Sequence, residues 1–247
     1  MKISPASIII PTLNEEKYLP LLLDSLRKIA APLDIIVVDG NSDDGTVRAA
    51  NGFIPSFFGD SSLRVIHSKD RRISLQRNLG AAEAKHDLLI FCDADVVVPS
   101  TEVHAQLLSA FEKGGFVVAA PVLVPTEYGV RIQLTAVFTT AFQRILILFK
   151  RPYFGGAYLI TTKTIFTHLG GFDSELTLAE DVDYSLRAAK KGPYGLINVR
   201  IPVSARRLLK YGYGWIFNSM PAVLSFVRTG RVTPGSVYYP FGEYDKN

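Results

Sequence analysis

The sequence predicts an α/β fold in which helices flank a mostly parallel central sheet and a helical, basic extension follows. Apolar strand patterns alternate with helical patterns four times within about the first hundred residues, which is typical of right-handed βαβ units. The fourth strand pattern, between Asp87 and Asp93, is an unbroken apolar run, as expected for a strand that is covered on both faces. The 247 residues are 48% hydrophobic and 20% charged, a composition that allows a sizeable core.

The first half of the chain supplies four strands and the helices between them. Leucines at helical spacing follow the first strand, and a turn-forming segment from Gly40 to Thr46 opens the second helix. A third helix is predicted from Ile73 to Ala84. The four predicted strands are Ala6–Pro11, Leu33–Asp39, Leu63–His67 and the apolar run between Asp87 and Asp93.

The second half continues the alternation up to a boundary that we place after residue 203. We expect the main domain at residues 1–203 and the extension, packed on it, at residues 204–247. The helical pattern at 131–150 has a wide apolar face, which we expect to pack in the core; contact with a hydrophobic acceptor or a membrane surface is the alternative. The other predicted elements are a helix after Pro99, a strand at Phe116–Val124, a strand at Gly155–Thr161 and a helix between Glu180 and Gly192.

Two carboxylates, Asp93 and Asp95, leave the fourth strand at its carboxyl end. Ligands of parallel sheets bind beyond these strand ends. Two neighbouring carboxylates repel each other unless they share a cation, and Mg2+ is commonly held by one or two carboxylates together with substrate phosphates. The pair therefore predicts a metal–diphosphate site. The alternative is a cap for the helix that follows Pro99.

Two further acidic positions extend this prediction. Asp39 also ends a strand, so it should share the crevice with Asp93, and the pair Glu180 and Asp181 opens a helix. A nucleotide needs hydrogen-bond acceptors for its base or ribose, and its diphosphate needs a cation as it departs. A further carboxylate can deprotonate an attacking hydroxyl. Together these parts describe displacement of a nucleoside diphosphate by an alcohol.

The motifs resemble those of the family-2 glycosyltransferases, which have the nucleotide-sugar-binding fold called GT-A. The resemblance covers roughly residues 6 to 192. No single motif is specific, but five occur in the family's order and spacing. They are Ile8–Glu16 (IIIPTLNEE), Ile35–Thr46 (IIVVDGNSDDGT), Arg77–Gly80 (RNLG), Phe91–Asp95 (FCDAD), and Gly170–Asp173 (GGFD) with Glu180 and Asp181.

The resemblance implies roles for these residues in binding a donor, a UDP- or GDP-linked sugar. Asp39 would accept a hydrogen bond from the base or ribose, and Asp93 and Asp95 would bind Mg2+ or Mn2+ through the diphosphate. The residues implied to line the nucleotide pocket or hold the donor are Pro11, Thr12, Glu15, Asp39, Arg77, Asn78, Asp93 and Ala94.

The resemblance also implies an inverting single displacement with Asp181 as the catalytic base and Glu180 supporting it. A carboxylate in the first turn of a helix is expected to stay ionised, as a base requires. The Gln-x-x-Arg-Trp signature of processive members is missing; Trp215 lies in a different context. Transfer of a single sugar is therefore expected rather than polymerisation.

The C-terminal region is basic. No acidic residue occurs between Ser185 and Gly242, which favours an anionic partner. Arg206 and Arg207 are expected to reach the donor diphosphate or an acceptor phosphate; with Lys210 they could instead form a membrane-surface patch. We expect a carbohydrate or polyprenyl-phosphate-type acceptor and no nucleic-acid partner.

Each assignment has a purely structural alternative. Asp39 could serve only its turn, and Thr12 with Glu15 could be a helix capping box. Asp181 could be only an acid at a helix start, and Arg77 a solvent-exposed helix residue. Two alternative functions also stay open at this point: a non-catalytic nucleotide-sugar-binding module and a sugar-phosphate nucleotidyltransferase.

The single cysteine, Cys92, excludes an internal disulfide framework and lies in an apolar strand, so a buried inert thiol is expected. No secretory signal is evident, and no apolar stretch is long and clean enough for a transmembrane helix. We therefore expect a cytoplasmic protein, with the inner face of the membrane as a place where it could associate.

Overall fold

The computed structural model describes residues 3–176, 179–212 and 229. Seven strands form one mixed sheet in the order β3-β2-β1-β4-β6-β5-β7. The strands are β1 Ala6–Thr12, β2 Leu33–Asp39, β3 Ser62–His67, β4 Leu88–Cys92, β5 Val118–Pro125, β6 Tyr158–Thr162 and β7 Tyr194–Val203. The α-helices are α1 Leu19–Leu26, α2 Thr46–Phe53, α3 Ile73–Glu83, α4 Thr101–Lys113, α5 Val130–Leu148, α6 Lys163–His168, α7 Glu180–Ala189 and α8 Arg206–Tyr211.

The predicted parallel βαβ half is confirmed. Strands β3, β2, β1 and β4 run parallel, and Thr12 of β1 lies opposite Asp39 of β2. Ile9 of β1 is opposite Phe91 of β4, two residues before Asp93. The carboxyl ends of β1, β2 and β4 therefore lie side by side, as the prediction of a common crevice requires.

The core lies on both faces of the sheet. Ile8 and Ile10 face a cluster that includes the buried leucines of α1 and Leu107 of α4, whereas Ile9 faces a cluster with Ala81 of α3 and Tyr184 of α7. Successive side chains of a strand point to opposite faces. Because each face of β1 is covered by helices, every residue of this strand is buried, which explains why apolar residues predominate in it.

Two features of the second half differ from the expected pattern. Strand β6 pairs antiparallel with both β4 and β5, so the sheet is mixed. Strand β7 was not predicted. Its buried and exposed positions alternate irregularly, and Arg200 within it is exposed. It pairs parallel with β5, and its end forms a bridge from Val203 to Val96. This bridge brings the chain back to the loop that contains Asp95.

The capping-box alternative for Thr12 and Glu15 is wrong. Thr12 is the last residue of β1, and its hydroxyl donates to the carbonyl oxygen of Val38 at 3.3 Å. Helix α1 begins at Leu19, with Tyr18 as its N-cap. The strand register keeps Thr12 in the sheet, and the chain needs six further residues before the helix starts.

The expectation that the apolar face of α5 packs in the core is also wrong. Within α5, which is described in full, Ile132 and Leu146 are the buried residues. The large apolar side chains exposed on α5 and directly after it are Val130, Leu134, Val137, Phe138, Ile145, Leu148 and Phe149. Among the described helices, none has the length and hydropathy that a membrane span requires.

The predicted extension is described only at its start. Helix α8 directly follows β7 and contains Arg206, Arg207 and Lys210. The rest of the predicted extension, apart from residue 229, lies outside the described residues. The boundary after residue 203 stays a prediction.

A buried histidine predicts loss of stability in mild acid. His104 of α4 is fully buried, and neither ring nitrogen meets a hydrogen-bond partner among the described residues. Burial lowers the pKa of His104 to about 4. The unfolded chain therefore takes up this proton first as pH falls below about 6.5, and the free energy of unfolding decreases until the pH approaches the folded-state pKa.

We expect the His104→Leu variant to lack this acid-dependent decrease in the free energy of unfolding. Between pH 7.5 and pH 5, the wild-type chain should lose about 2 kcal/mol more than the variant does, as measured by urea denaturation at both pH values. Parallel pH profiles for the two chains would show that His104 titrates normally in the folded state.

Candidate active site

The strand order gathers acidic side chains at one edge of the sheet. Glu15 lies in the loop after β1, and Asp93 and Asp95 lie in the loop after β4. Glu180 and Asp181 are the first residues of α7. The carboxylates act on each other electrostatically: Asp93 and Asp95 both help to raise the pKa of Glu15, and Asp93 helps to raise that of Asp181, in each case after the larger effect of burial. These five acids therefore form one cluster.

Arg77 of α3 connects the two sides of this cluster. Its side chain is 1% exposed. Nη1 donates to Oε1 of Glu180 at 2.6 Å, and Nη2 donates to Oδ1 of Asp93 at 2.8 Å. Nη2 also donates to the carbonyl oxygen of Gly156 at 3.0 Å. The alternative that Arg77 is a solvent-exposed helix residue is therefore wrong.

Gly156 contacts both the arginine and the predicted base. A Cβ atom at this position would lie 2.3 Å from Nη2 of Arg77, so a larger residue would have to displace the guanidinium from its bonds. The Gly156 N–H donates to Oδ2 of Asp181, and the Val182 N–H donates to Oδ1 of the same carboxylate at 2.7 Å. The paired glycines before β6 are the feature of the sequence that indicates such a close approach to the backbone.

Burial works against ionisation of the acids at the start of α7. It raises the pKa of Glu180 to about 7, with a further increase from Asp181 and an opposing effect of Arg77. Burial also raises the pKa of Asp181, against the effects of Arg77 and two backbone N–H donors. Desolvation therefore opposes the effect of the helix start, which was expected to keep Asp181 ionised. Ala179, which precedes the pair, has the left-handed φ of 60° that is rare for a non-glycine residue.

A second arginine, Arg206, closes the other side of the cluster. Its Nη1 and Nη2 donate to the two carboxylate oxygens of Glu15 at 2.8 and 2.6 Å, and its Nε donates to Oδ2 of Asp95 at 2.9 Å. The guanidinium also lies over the ring of Tyr18, 4.1 Å from its centroid. No sequence motif pointed to Tyr18.

Burial raises the pKa of both carboxylates that Arg206 contacts. The pKa of Glu15 rises to about 7, although Arg206 opposes the shift. The pKa of Asp95 rises as well, and the charges of Arg206 and Arg207 oppose it. Both predicted basic residues are therefore close enough to act on Asp95.

The remaining predicted donor residues are held by protein groups. Oδ2 of Asp39 accepts from the N–H groups of Asn41 and Ser42, both at 3.0 Å. Asn78 exchanges two hydrogen bonds with the backbone of Phe172, at 2.8 and 2.9 Å. Pro11 and Ala94 are buried. Asp39 thus organises its own turn, and Asn78 fastens the turn before α7 to α3; their donor contacts stay predictions.

The carboxylates of the cluster are oxygen ligands of the kind that a hard divalent cation prefers. Five carboxylates face Arg77 and Arg206, with Arg207 as a further positive charge near Asp95. Within the described residues, no group of three or more potential ligands is arranged to hold a metal by itself. Two aspartates fit a cation that takes its other ligands from phosphate and water. The five acids are Glu15, Asp93, Asp95, Glu180 and Asp181.

Comparison with known proteins now identifies the family. Residues 7–170, more than half of the chain, match the model of Glycosyl transferase family 2. The chain belongs to glycosyltransferase family 2. This family-2 chain is 26% identical over 185 residues to the PGL/p-HBAD biosynthesis glycosyltransferase of Mycobacterium bovis BCG, covering 73% of this chain and 68% of the relative. It is also 31% identical over 111 residues to the 4,4'-diaponeurosporenoate glycosyltransferase of Staphylococcus haemolyticus, covering 43% of this chain and 28% of the relative.

Solved structures confirm the GT-A fold of this family-2 chain. The mannosyltransferase PcManGT from Pyrobaculum calidifontis, in complex with GDP-Man and Mn2+, superposes with a TM-score of 0.68 at 19% identity, covering 94% of this chain and 66% of the other. Staphylococcus aureus TarS 1-349 in complex with UDP-GlcNAc superposes with a TM-score of 0.58 at 19% identity, covering 83% of this chain and 56% of the other. The family-2 chain thus spans part of the length of these proteins.

Replacement of Arg77 tests its place at the centre of the cluster. We expect Arg77→Met to lower the free energy of unfolding by about 3 to 5 kcal/mol, because it leaves buried carboxylates without their counter-charge. The matched control is Arg48→Ala, which removes an arginine that is 85% exposed and pairs with Glu16; it should cost less than about 1 kcal/mol. Urea denaturation at pH 7.5 measures both. Equal costs for the two variants would contradict a central role for Arg77.

Proposed function

We propose that this chain is an inverting glycosyltransferase that moves one sugar from a nucleoside diphosphate donor to an acceptor. The observation that carries the proposal is the link through Arg77. One guanidinium holds Asp93, on the predicted leaving-group side, and Glu180, beside the predicted base Asp181. Membership of glycosyltransferase family 2 supports it.

The donor side of the proposal rests on the loop after β4. Asp93 and Asp95 would hold Mg2+ or Mn2+, which would supply positive charge for the departing diphosphate. The fold relatives in complex with GDP-Man and Mn2+ or with UDP-GlcNAc support a UDP- or GDP-linked sugar as donor. Thr12, Pro11 and Ala94 would line the nucleotide pocket.

The second arginine would serve the same leaving group. Arg206 already contacts Asp95 and Glu15, and Arg207 contributes charge at Asp95. We assign both arginines to stabilising the negative charge of the diphosphate. Asp39 and Asn78 shape turns beside the crevice. Asp39 would accept a hydrogen bond from the base or ribose, and Asn78 would help to hold the donor.

Asp181 would act as the base in the displacement. The acceptor oxygen forms a bond to the anomeric carbon as the bond from that carbon to the diphosphate oxygen breaks. The proton of an acceptor hydroxyl passes to the Asp181 carboxylate, which the N–H groups of Gly156 and Val182 hold in place. A base with a raised pKa accepts a proton more readily at neutral pH. Glu180 would keep Asp181 in position through its bond to Arg77.

The nature of the acceptor changes what Asp181 must do. A hydroxyl has to lose its proton, whereas a phosphate acceptor is already ionised at neutral pH and needs no base. We propose a carbohydrate or a polyprenyl-phosphate-type acceptor, reached from the cytoplasm at the inner face of the membrane. The basic C-terminal region supports an anionic partner of this kind.

Replacing Asp181 by Asn tests the role of the base. A thermal-shift panel of UDP-, GDP- and dTDP-sugars with Mn2+ first identifies the donor. We expect Asp181→Asn to bind that donor as the wild type does and to transfer to a hydroxyl acceptor about 10^2 to 10^4 times more slowly. Asp183→Asn, in the same helix turn, is the control and should keep its rate.

Three outcomes would contradict parts of this assignment. Unchanged transfer by Asp181→Asn to a hydroxyl acceptor would remove Asp181 from the role of base. Donor binding without transfer to any acceptor by the wild type would favour a non-catalytic nucleotide-sugar-binding module. The absence of a response to every donor would count against the transferase assignment as a whole.

Arg206 can be tested separately from the base. We expect Arg206→Ala to weaken donor binding about tenfold or more, because a charged hydrogen-bond partner of the diphosphate is lost. Arg200→Ala, an exposed position on β7, is the control and should leave the affinity unchanged. Isothermal titration calorimetry measures both. Tighter donor binding by Arg206→Ala would instead mean that Arg206 competes with the donor for Asp95 and Glu15.

A further inference from the structure

Helix α5 presents its most apolar face to solvent. Its apolar residues recur at steps of three or four, the spacing of one helix face. Leu148 is 82% exposed and Val130 is 78% exposed. The face, called here the α5 stripe, consists of Val130, Leu134, Val137, Ala141, Ile145 and Leu148, with Phe138 and Phe149 along one side. A surface helix of a globular protein normally turns such a stripe towards the core.

The opposite face fixes this orientation. Leu146 packs against Val182 of α7, and the ring of Phe142 meets that of Tyr153 edge-on at 6.3 Å. Nε2 of Gln143 donates to the carbonyl oxygen of Tyr153 at 3.0 Å. Polar and apolar contacts therefore both hold the inner face. Rolling the helix to bury the stripe would break all of them.

The stripe lies in a long segment without acidic residues. Residues 128–172 contain no Asp or Glu, while Arg131, Arg144, Lys150, Arg151 and Lys163 are basic. Arg131 and Lys150 are exposed near the two ends of the helix, and Arg144 is exposed beside the stripe. The surface thus combines apolar and aromatic side chains with flanking cations. This composition is typical of helices that bind in the interface of an anionic membrane.

We propose that the α5 stripe docks on the surface of an anionic phospholipid bilayer. The charges favour this occupant over two others. A second copy of the same face would bring the cations Arg131, Arg144 and Lys150 close to the same cations of the other copy, since a two-fold interface pairs one patch with itself. The chain's own residues 213–242 contain Arg228 and Arg231 and no acid, so they offer no negative charge to pair with the cations beside the stripe. Anionic headgroups attract these cations, and the acyl region accepts the apolar side chains.

Docking here would place the acceptor side of the site at the membrane. Val182, which α5 contacts, directly follows Asp181, and Tyr153 lies three residues before Gly156. In this respect the inference rests on the proposed function, since a lipid-linked acceptor in the bilayer would reach the base along α5. Membrane docking itself does not depend on catalysis.

Vesicle flotation of the full chain tests the proposal. Wild type should float with vesicles of phosphatidylcholine containing 30% phosphatidylserine (about 100 mM salt) and bind pure phosphatidylcholine vesicles more weakly. The triple variant Leu134→Ser, Phe138→Ser and Leu148→Ser should lower binding about tenfold or more, with an unchanged melting temperature because these side chains are exposed. The matched control is Phe58→Ser, which alters a side chain that is also 82% exposed but lies outside α5; it should bind as the wild type does.

The alternative occupants give different results. Equal binding by the triple variant and the wild type, or no binding by either, overturns the proposal. A dimer in light scattering that the triple variant abolishes, without vesicle binding by the wild type, assigns the stripe to self-association and also overturns it. Donor thermal shifts on the same proteins separate this inference from the proposed function. Vesicle binding without any donor response would support the docking surface and contradict the transferase assignment.

Discussion

The site depends on the ion pairs and hydrogen bonds of the buried Arg77 guanidinium. It joins the end of β4, the start of α7 and the loop before β6 through Asp93, Glu180 and the carbonyl oxygen of Gly156. A buried charge is tolerated only when it is paired and hydrogen-bonded, so these three segments must stay together. The loop before β6 also places the N–H of Gly156 against Asp181. The position of the proposed base thus follows from that of a group some hundred residues earlier in the chain.

The site concentrates charge that the fold has to compensate. Burial raises the pKa of Glu15, Asp95, Glu180 and Asp181, so each carboxylate is less stable as an anion than it would be in water. Arg206, the first residue of α8, compensates two of them after β7 has returned the chain to the site. The cluster combines carboxylates, which can bind a cation, with guanidinium groups, which can bind phosphates; we interpret it as a site for both.

Much of the fold and of the site was predictable from local patterns. Mainly apolar runs predicted β1, β2 and β4, and the bounds Leu33–Asp39 of β2 are confirmed. Family membership and the GT-A fold are confirmed as well. Strand β7 and the antiparallel direction of β6 could not be predicted, because pairing partners and directions are properties of the assembled sheet. The solvent-facing stripe of α5 was assigned to the core for a similar reason: periodicity shows that a helix has an apolar face, not where that face points.

The sequence by itself determined the alternation of strands and helices, the family, and which acids end strands or begin helices, since these are features of neighbouring residues. Only the tertiary structure decided how Asp93 and Asp95 are neutralised. Their partners, Arg77 and Arg206, lie 16 and 111 residues away along the chain. The energy of a buried ion pair depends on distance and desolvation, which exist only once the sheet has formed and the chain has returned along β7.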